Sequence, residues 1–325
     1  MDLDLKKISH PIENELEEFR LHFREAIRSK VALVDLISKY ILRQKGKKIR
    51  PILVLLSAKL CGEITPRSYT AATLVEMLHT ATLIHDDVVD DAKTRRGLAS
   101  INAVWKNKIA VLMGDFMLSR GLLLALENDE CGFLKITSRA VKRMSEGELL
   151  QIQKNRKFDV NEETYFRIIS DKTASLITAC CELGAASTSK DKNEIQLMSD
   201  FGENIGIAFQ LRDDLLDYIG KKKIMGKSSG SDLKEKKFTL PLIHSLNNSS
   251  KKEAKEIMNV VKNGTFSKSR SIVMDFIKEH NGIEYTVSKT SEYCAVAKSK
   301  LQGFNPSETK ETMIKFVDFI SERIN

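Results

Sequence analysis

Apolar residues recur along this chain at the three- and four-residue spacing of a helix face. Ile12, Leu16, Phe19, Phe23 and Ile27 form one such stripe near the start, and Met313, Val317, Ile320 and Ile324 form another near the end. No proline falls between Pro66 and Pro241, and that stretch is rich in Leu, Ala, Ile, Glu and Lys. Proline interrupts helices and these residues favour them, so the pattern predicts consecutive helices through the middle of the chain. No convincing alternation of period two appears anywhere. The expected fold class is all-α.

The least helix-like segment is GKKKIMGKSSGSDLKEKK at 220–237, with three Gly and seven Lys. It reads as a mobile Lys-rich loop rather than a domain boundary. With similar composition on either side and no linker, one domain is expected over 1–325.

At 325 residues, 42% hydrophobic and 30% charged, the chain has ample material for a core. No uninterrupted apolar run approaches the roughly 18 to 20 residues of a membrane span. The first residues mix acids and bases, unlike a signal peptide, so the cytoplasm is the expected compartment. The five cysteines show no metal-ligand spacing and read as buried thiols. A net charge of +8 suits either nucleic acid or a small anionic substrate. Aromatics at 6%, with no interleaving of basic and aromatic residues, argue against nucleic acid.

Carboxylates concentrate twice, each time after an apolar helical run. Asp86, Asp87, Asp90 and Asp91 lie in LIHDDVVDDAKTRRG, and Asp213, Asp214 and Asp217 in GIAFQLRDDLLDY. Residues i and i+4 share a helix face, so each DDxxD sets like charges side by side, which destabilises a bare helix. A solvated acidic face explains one such cluster; two point to a hard divalent cation. Mg²⁺ takes oxygen ligands, keeps several waters and bridges carboxylates to substrate phosphates. Two such clusters facing one another would hold a diphosphate. Basic residues suited to anions lie nearby in sequence: Arg95 and Arg96, QKGKKIRP at 44–51, and Lys227 and Lys237. Most other lysines of 220–237 read as a solvated face.

Taken together these residues resemble the trans-isoprenyl diphosphate synthases, or polyprenyl synthetases, and most nearly their long-chain bacterial, octaprenyl-type members. GKKIRP, EMLHTATLIHDDVVDD with RRG, MGD at 113–115, SEGELLQ at 145–151, DKTASL at 171–176, GIAFQLRDDLLD and GKSSGSDLKEKKFTLP occur in the family's order across nearly the whole chain. Departures are Lys45 where a paired glycine is usual, Ser228 for a proline and Lys236 for a glycine, all in loop-like segments.

The resemblance implies a single large helix bundle around a central active-site cavity. It also implies condensation of isopentenyl diphosphate with an allylic diphosphate (dimethylallyl, geranyl or farnesyl), with about three Mg²⁺ ions assisting departure of diphosphate to leave a carbocation. Carried over, Asp86, Asp87, Asp90, Asp213 and Asp217 are metal ligands, with Asp214 just behind them. Arg95, Lys172, Lys227 and Lys237 hold the allylic diphosphate. Gly46, Lys47, Arg50, His79 and Arg96 hold isopentenyl diphosphate. On the residues alone, His79 also fits a satisfied core histidine. Lys172, Thr173 and Gln210 face the reacting carbons, the last two presenting oxygens to the cation.

Short-chain members place bulky aromatics near Leu78, Ala81 and Thr82. With the head group at Asp86, a rise of about 1.5 Å per residue puts Ala81 and Thr82 roughly 6 to 7.5 Å below it, and their small size implies a long product, about 30 to 40 carbons. A homodimer is implied, with product passing to membrane enzymes. Competing readings are a short-chain farnesyl or geranylgeranyl synthase, a terpene cyclase, and a non-catalytic partner subunit. A cyclase needs no second diphosphate site and typically carries an NSE-type second motif; a partner subunit would lose metal ligands, whereas both DDxxD motifs are complete.

Overall fold

The computed structural model describes residues 7–44, 46–219, 237–263 and 266–322. Lys45, Lys227, Ile324 and all of the expected Lys-rich loop except Lys237 lie outside them. The chain is all-α, with a two-stranded hairpin as its β structure among the described residues. By their contacts the residues group into two compact units. Unit 1 is Met1–Arg139, Ala179–Ser199 and Gly303–Met313; unit 2 is Ala140–Thr178, Asp200–Gln302 and Ile314–Asn325.

Unit 1 begins with α1 (Glu13–Ala26), α2 (Ala32–Arg43), α3 (Ile49–Cys61) and α4 (Pro66–Val89). The first apolar stripe largely does what its spacing predicts: Ile12, Phe19, Phe23 and Ile27 are buried and Leu16 is half-buried. Helix α3 buries every residue from Pro51 to Ala58, as expected of an apolar segment without a polar face. α4 starts with Pro66 in its first turn, where a missing N–H costs nothing, and Ser68 Oγ accepts the Thr65 N–H at 3.3 Å. A hairpin comes next, β1 (Thr94–Arg95) pairing antiparallel with β2 (Leu98–Ala99). Its two central residues, Arg96 and Gly97, both have positive φ (52° and 81°), as a two-residue hairpin turn demands. Two-residue strands are too short to show alternation, which is why period two was invisible.

The long α5 (Ile101–Glu127) packs along α4. Gly114 lies under the His85 ring, so close that a Cβ would strike it, and a Cβ on Gly121 would meet Leu74 at 3.3 Å. By length and composition α5 could span a bilayer (mean hydropathy 1.8 over 18 residues, a third of that stretch buried). Charges such as Asp115 and Arg120 break the run, as the sequence shows, yet the window average of this helix is apolar enough to meet the length and composition of a span.

The chain continues through α6 (Cys131–Lys157), α7 (Glu162–Ile169), a π-helical turn (Ser170–Ala174), α8 (Ser175–Thr188) and α9 (Lys192–Ile219). Beyond them lie α10 (Leu240–Asn247), α11 (Lys251–Asn263), α12 (Phe266–Glu279), α13 (Gly282–Leu301) and α14 (Glu308–Glu322). The core of unit 2 gathers Tyr165 and Ile169 of α7, Ile207 and Leu211 of α9, Leu240, Leu242 and Ile243 of α10, and Val273, Phe276 and Ile277 of α12. Met313, Val317 and Ile320 of the second stripe are fully buried.

All five cysteines carry free thiols. Cys180, Cys181 and Cys294 are buried, Cys61 is half-buried and Cys131 is exposed. Burial pushes the thiols of Cys61 and Cys181 up to about 12 and that of Cys294 up to about 11, and raises Cys180 well above the ordinary value.

Candidate active site

In unit 1 the first aspartate cluster closes α4. The Asp90 N–H donates to the Asp86 carbonyl at 2.8 Å, so the two residues sit one turn apart on one face, and both are exposed. Asp91, at positive φ (48°), ends the helix. Asp87 is placed differently. It is buried, and its Oδ1 accepts from Arg95 Nε at 2.9 Å and from Arg95 Nη2; its carbonyl accepts from Asn102 Nδ2 at 3.0 Å. The hairpin therefore delivers Arg95 to the cluster, while the turn beyond it delivers Arg96.

Arg96 lies against Gly46 so closely that a Cβ at Gly46 would strike its guanidinium, a steric reason for glycine there. Gly46, Lys47, Lys48, Ile49, Arg50, Glu76, His79 and Arg96 line a pocket of about 330 Å³. It gathers four cations and one carboxylate. Glu76, buried within α4, holds Lys48 Nζ at 2.7 Å. Arg50 Nη1 donates to His79 Nε2 at 2.8 Å, and Arg50 Nε is buried without a hydrogen-bond partner among the described residues. Burial holds the His79 pKa well below the ordinary histidine value, and Arg50, Arg96, Lys48 and Arg95 lower it further, so its ring is a neutral acceptor. His79 is thus both buried and part of the lining of a cationic pocket.

In unit 2 the second cluster lies near the end of α9. Asp217 is buried and Asp213, one turn earlier, is half-buried. Asp214 turns inward: its Oδ2 accepts from the Tyr165 hydroxyl at 2.6 Å and its Oδ1 from Gln210 Nε2 at 2.7 Å. Gln210 Oε1 then accepts from the Thr173 hydroxyl at 2.8 Å. With that hydrogen committed, Thr173 Oγ1 has only lone pairs left to offer, which suits an oxygen near positive charge. Lys172 Nζ sits between Gln151 Oε1 at 2.7 Å and Glu148 Oε2 at 2.5 Å. Both partners belong to the SEGELLQ segment of α6, a motif whose residues carry no assigned role on sequence alone.

The structure groups Gly46, Lys47, Arg50, His79 and Arg96 in one pocket of unit 1, with Asp86, Asp87, Asp90 and Arg95 on the neighbouring end of α4 and the hairpin. It groups Lys172, Thr173, Gln210 and Asp214 in unit 2. Sequence reasoning missed Glu76, Glu148 and Tyr165, and gave Lys48 no role beyond its place in the basic segment QKGKKIRP. The pair Lys48 and Glu76 is separated by 28 residues, so spacing gave no signal. Leu78 and Ala81 are buried inside unit 1, and Thr82, half-buried, donates its hydroxyl to the His79 carbonyl at 2.9 Å.

In unit 1 of this all-α chain, carboxylate oxygens on one face of α4 lie beside a pocket lined by four cations, an arrangement suited to a small anion. The polyprenyl synthetase family profile matches residues 31–278, and the chain belongs to that family of transferases. It is 34% identical over 326 residues, the full length of both proteins, to an all-trans-nonaprenyl-diphosphate synthase (geranyl-diphosphate specific) of Rhodobacter capsulatus. It is 32% identical to the octaprenyl diphosphate synthase of Escherichia coli over 99% of each chain. Among solved structures, a decaprenyl diphosphate synthase from Rhodobacter capsulatus superposes with a TM-score of 0.92 at 30% identity, covering 99% of both chains. A polyprenyl synthase from Caulobacter crescentus complexed with calcium and isoprenyl diphosphate superposes at 0.89, with 30% identity and 98% of both chains covered.

Proposed function

We propose that this chain condenses isopentenyl diphosphate with an allylic diphosphate, head to tail and all-trans, to give a polyprenyl diphosphate of medium to long chain. The observation that carries the reading is the 330 Å³ cationic pocket of Lys47, Arg50, His79 and Arg96 beside the first DDxxD. Such a pocket suits a diphosphate held without metal, next to carboxylates that hold one through metal. The relatives named above make chains of this class, and Ala81 with Thr82 keeps aromatics away from the segment below Asp86. A product of about 30 to 40 carbons, limited near Leu78, Ala81 and Thr82, belongs to this proposal.

Family membership and the calcium complex of a relative point to a divalent cation, and Mg²⁺, about three per site, is the ion we assign. The donors fit it. Asp86, Asp87, Asp90, Asp213 and Asp217 offer only hard oxygens; of these Asp87 is buried and engaged by Arg95, which leaves it the least available to an ion. Among the described residues no three His, Cys, Asp or Glu side chains form a ready metal cage. When bound, Mg²⁺ supplies positive charge to the leaving diphosphate.

The chain's own groups do the rest. Arg95, Lys172, Lys227 and Lys237 hold the allylic diphosphate; Arg50 and Arg96, with Lys47 and the Gly46 backbone, hold the other substrate. Thr173 Oγ1, fixed by Gln210, offers lone pairs to the allylic cation, and the released diphosphate takes the proton that ends each cycle. A single catalytic domain over 1–325 is supported by matches along the full length of relatives. A homodimer is supported by the exposed Val104, Val111, Leu112, Leu123 and Leu126 along α5, an apolar face a second copy would cover. A cytoplasmic enzyme results if that face meets another copy rather than lipid, with product passed on to membrane enzymes. Incubation with Mg²⁺, farnesyl diphosphate and radiolabelled isopentenyl diphosphate tests the reading: chain-extended label is expected and vanishes with EDTA. No extension by the purified chain would leave it a partner subunit.

A further inference from the structure

Lys172 and Thr173 stand on an unusual backbone. The Ser175 N–H donates to the Ser170 carbonyl, an i to i+5 bond that widens the helix between α7 and α8 by one residue. The Asp171 carbonyl, the acceptor Ser175 N–H would take in an α-helix, receives the Ser175 hydroxyl at 2.6 Å. One extra residue rotates the rest of the helix by about 100°, so the phase of this turn decides where Lys172 and Thr173 point.

Two helices grip the turn with matching residues. Along one face of α6 come Arg143, Gly147 and Gln151; along one face of α9 come Glu203, Gly206 and Gln210. A Cβ on Gly147 would meet Lys172 N at 2.8 Å, and one on Gly206 would meet Ala174 Cα at 2.6 Å, so both backbones approach the turn as closely as glycine allows. Gln151 takes Lys172 and Gln210 takes Thr173. The third members close the grip. Arg143 donates through Nε to Asp171 Oδ1 at 2.8 Å, through Nη2 to Ser170 Oγ at 2.6 Å, and through Nη1 and Nη2 to the two Glu203 oxygens at 3.1 and 2.9 Å. Glu203 also accepts from the hydroxyls of Ser170 and Thr178.

We propose that Arg143 and Glu203 are positioning residues for the reaction: bridged to each other and to Asp171 and Ser170, they hold the π-turn in the phase that sends Lys172 toward α6 and Thr173 toward α9. The hydrogen bonds described above for both residues are all to other side chains of unit 2. The charges support so rigid a grip: although burial opposes it, the Glu203 and Asp171 carboxylates hold the Arg143 pKa above its ordinary value, and against the same opposition Arg143 and Ser170 lower that of Glu203.

The assignment presupposes the prenyl-transfer reading, so wild-type elongation is measured first. Arg143→Met and Glu203→Gln are then compared with Arg139→Met, which breaks a pair with Glu182 earlier on the same helix. Ångström-scale misplacement of Lys172 and Thr173 predicts a kcat about 100-fold lower for Arg143→Met and about 10-fold lower for Glu203→Gln, which keeps its acceptor for Ser170 and Thr178. KM for isopentenyl diphosphate, held in unit 1, should stay within about twofold, and the double variant should be no slower than Arg143→Met, since both act through one grip. Arg139→Met should match wild type. Folded variants with kcat within about threefold of wild type, or losses explained wholly by the unfolded fraction, overturn the proposal; if Arg143→Met does not fold, Glu203→Gln decides alone. A wild-type chain that elongates nothing sinks the reaction itself, and this assignment with it.

Discussion

Acid should weaken the folded chain through His79 well before most carboxylates titrate. The ring is 6% exposed, and burial first, then Arg50, Arg96, Lys48 and Arg95, keep its folded pKa far below 6.5. In the unfolded chain the same imidazole takes a proton near 6.5. Below that pH the unfolded state binds more protons than the folded one, so stability is full above 6.5 and is lost as pH falls toward the folded pKa. For one such group the loss is about 1.4 kcal/mol between pH 7.5 and 5.5. His79→Gln removes the proton site yet leaves an amide oxygen to accept from Arg50 Nη1. His244, whose pKa is also lowered by burial, is common to both proteins and cancels in the comparison. Urea unfolding followed by circular dichroism at pH 7.5, 6.5 and 5.5 should therefore show the wild-type advantage over His79→Gln shrinking by about 1.4 kcal/mol over that range. A difference that stays flat with pH would mean that His79 takes up its proton as readily in the folded chain as in the unfolded one, and the account of the pocket as a neutral acceptor among cations would fail.

Asp86→Ala or Asp213→Ala should lower turnover by several orders of magnitude while leaving the chain folded by circular dichroism; near-normal turnover in steady-state assays would remove these carboxylates from the metal site. Ala81→Phe should shorten the product to about 15 to 20 carbons by reversed-phase chromatography, since a ring would then stand one to two helical turns below Asp86. Because Ala81 is 2% exposed, the same change should cost about 1 to 3 kcal/mol from overpacking, and an unchanged product would show that the tail runs elsewhere. Gly184→Ala should destabilise by a similar amount, about 1 to 3 kcal/mol, as its Cβ would press on the Val54 carbonyl and lie 2.7 Å from Ser57 Cβ; an unshifted thermal melt would contradict that close approach.

The helices were legible because burial obeys spacing: the stripe from Ile12 to Ile27 and the one through Met313, Val317 and Ile320 both face the interior. The carboxylates and most of the cationic pocket were legible because each DDxxD and GKKIRP is contiguous in sequence. What escaped depends on contacts across helices. The hairpin rests on two left-handed residues, one of them an arginine, and Arg96 carries no turn signature. The π-turn leaves no periodic trace, since a single added residue shifts the phase without changing composition. The partners that aim the site, Glu76 for Lys48 and Glu203 for Arg143, lie 28 and 60 residues away along the chain.

Thiol burial has a practical outcome for chemistry at the surface. Alkylating reagents attack the thiolate, and a thiol pushed up to about 12, as in Cys61 and Cys181, is ionised in only about one molecule in ten thousand at pH 8, while Cys180, Cys181 and Cys294 are also walled off from reagent. Cys131, exposed at the start of α6, is the position open to iodoacetamide or a maleimide dye in the native chain, whereas urea should release all five. The folded enzyme thus accepts one label without engineering, and the count of labels per chain becomes a direct gauge of how much of a preparation is unfolded.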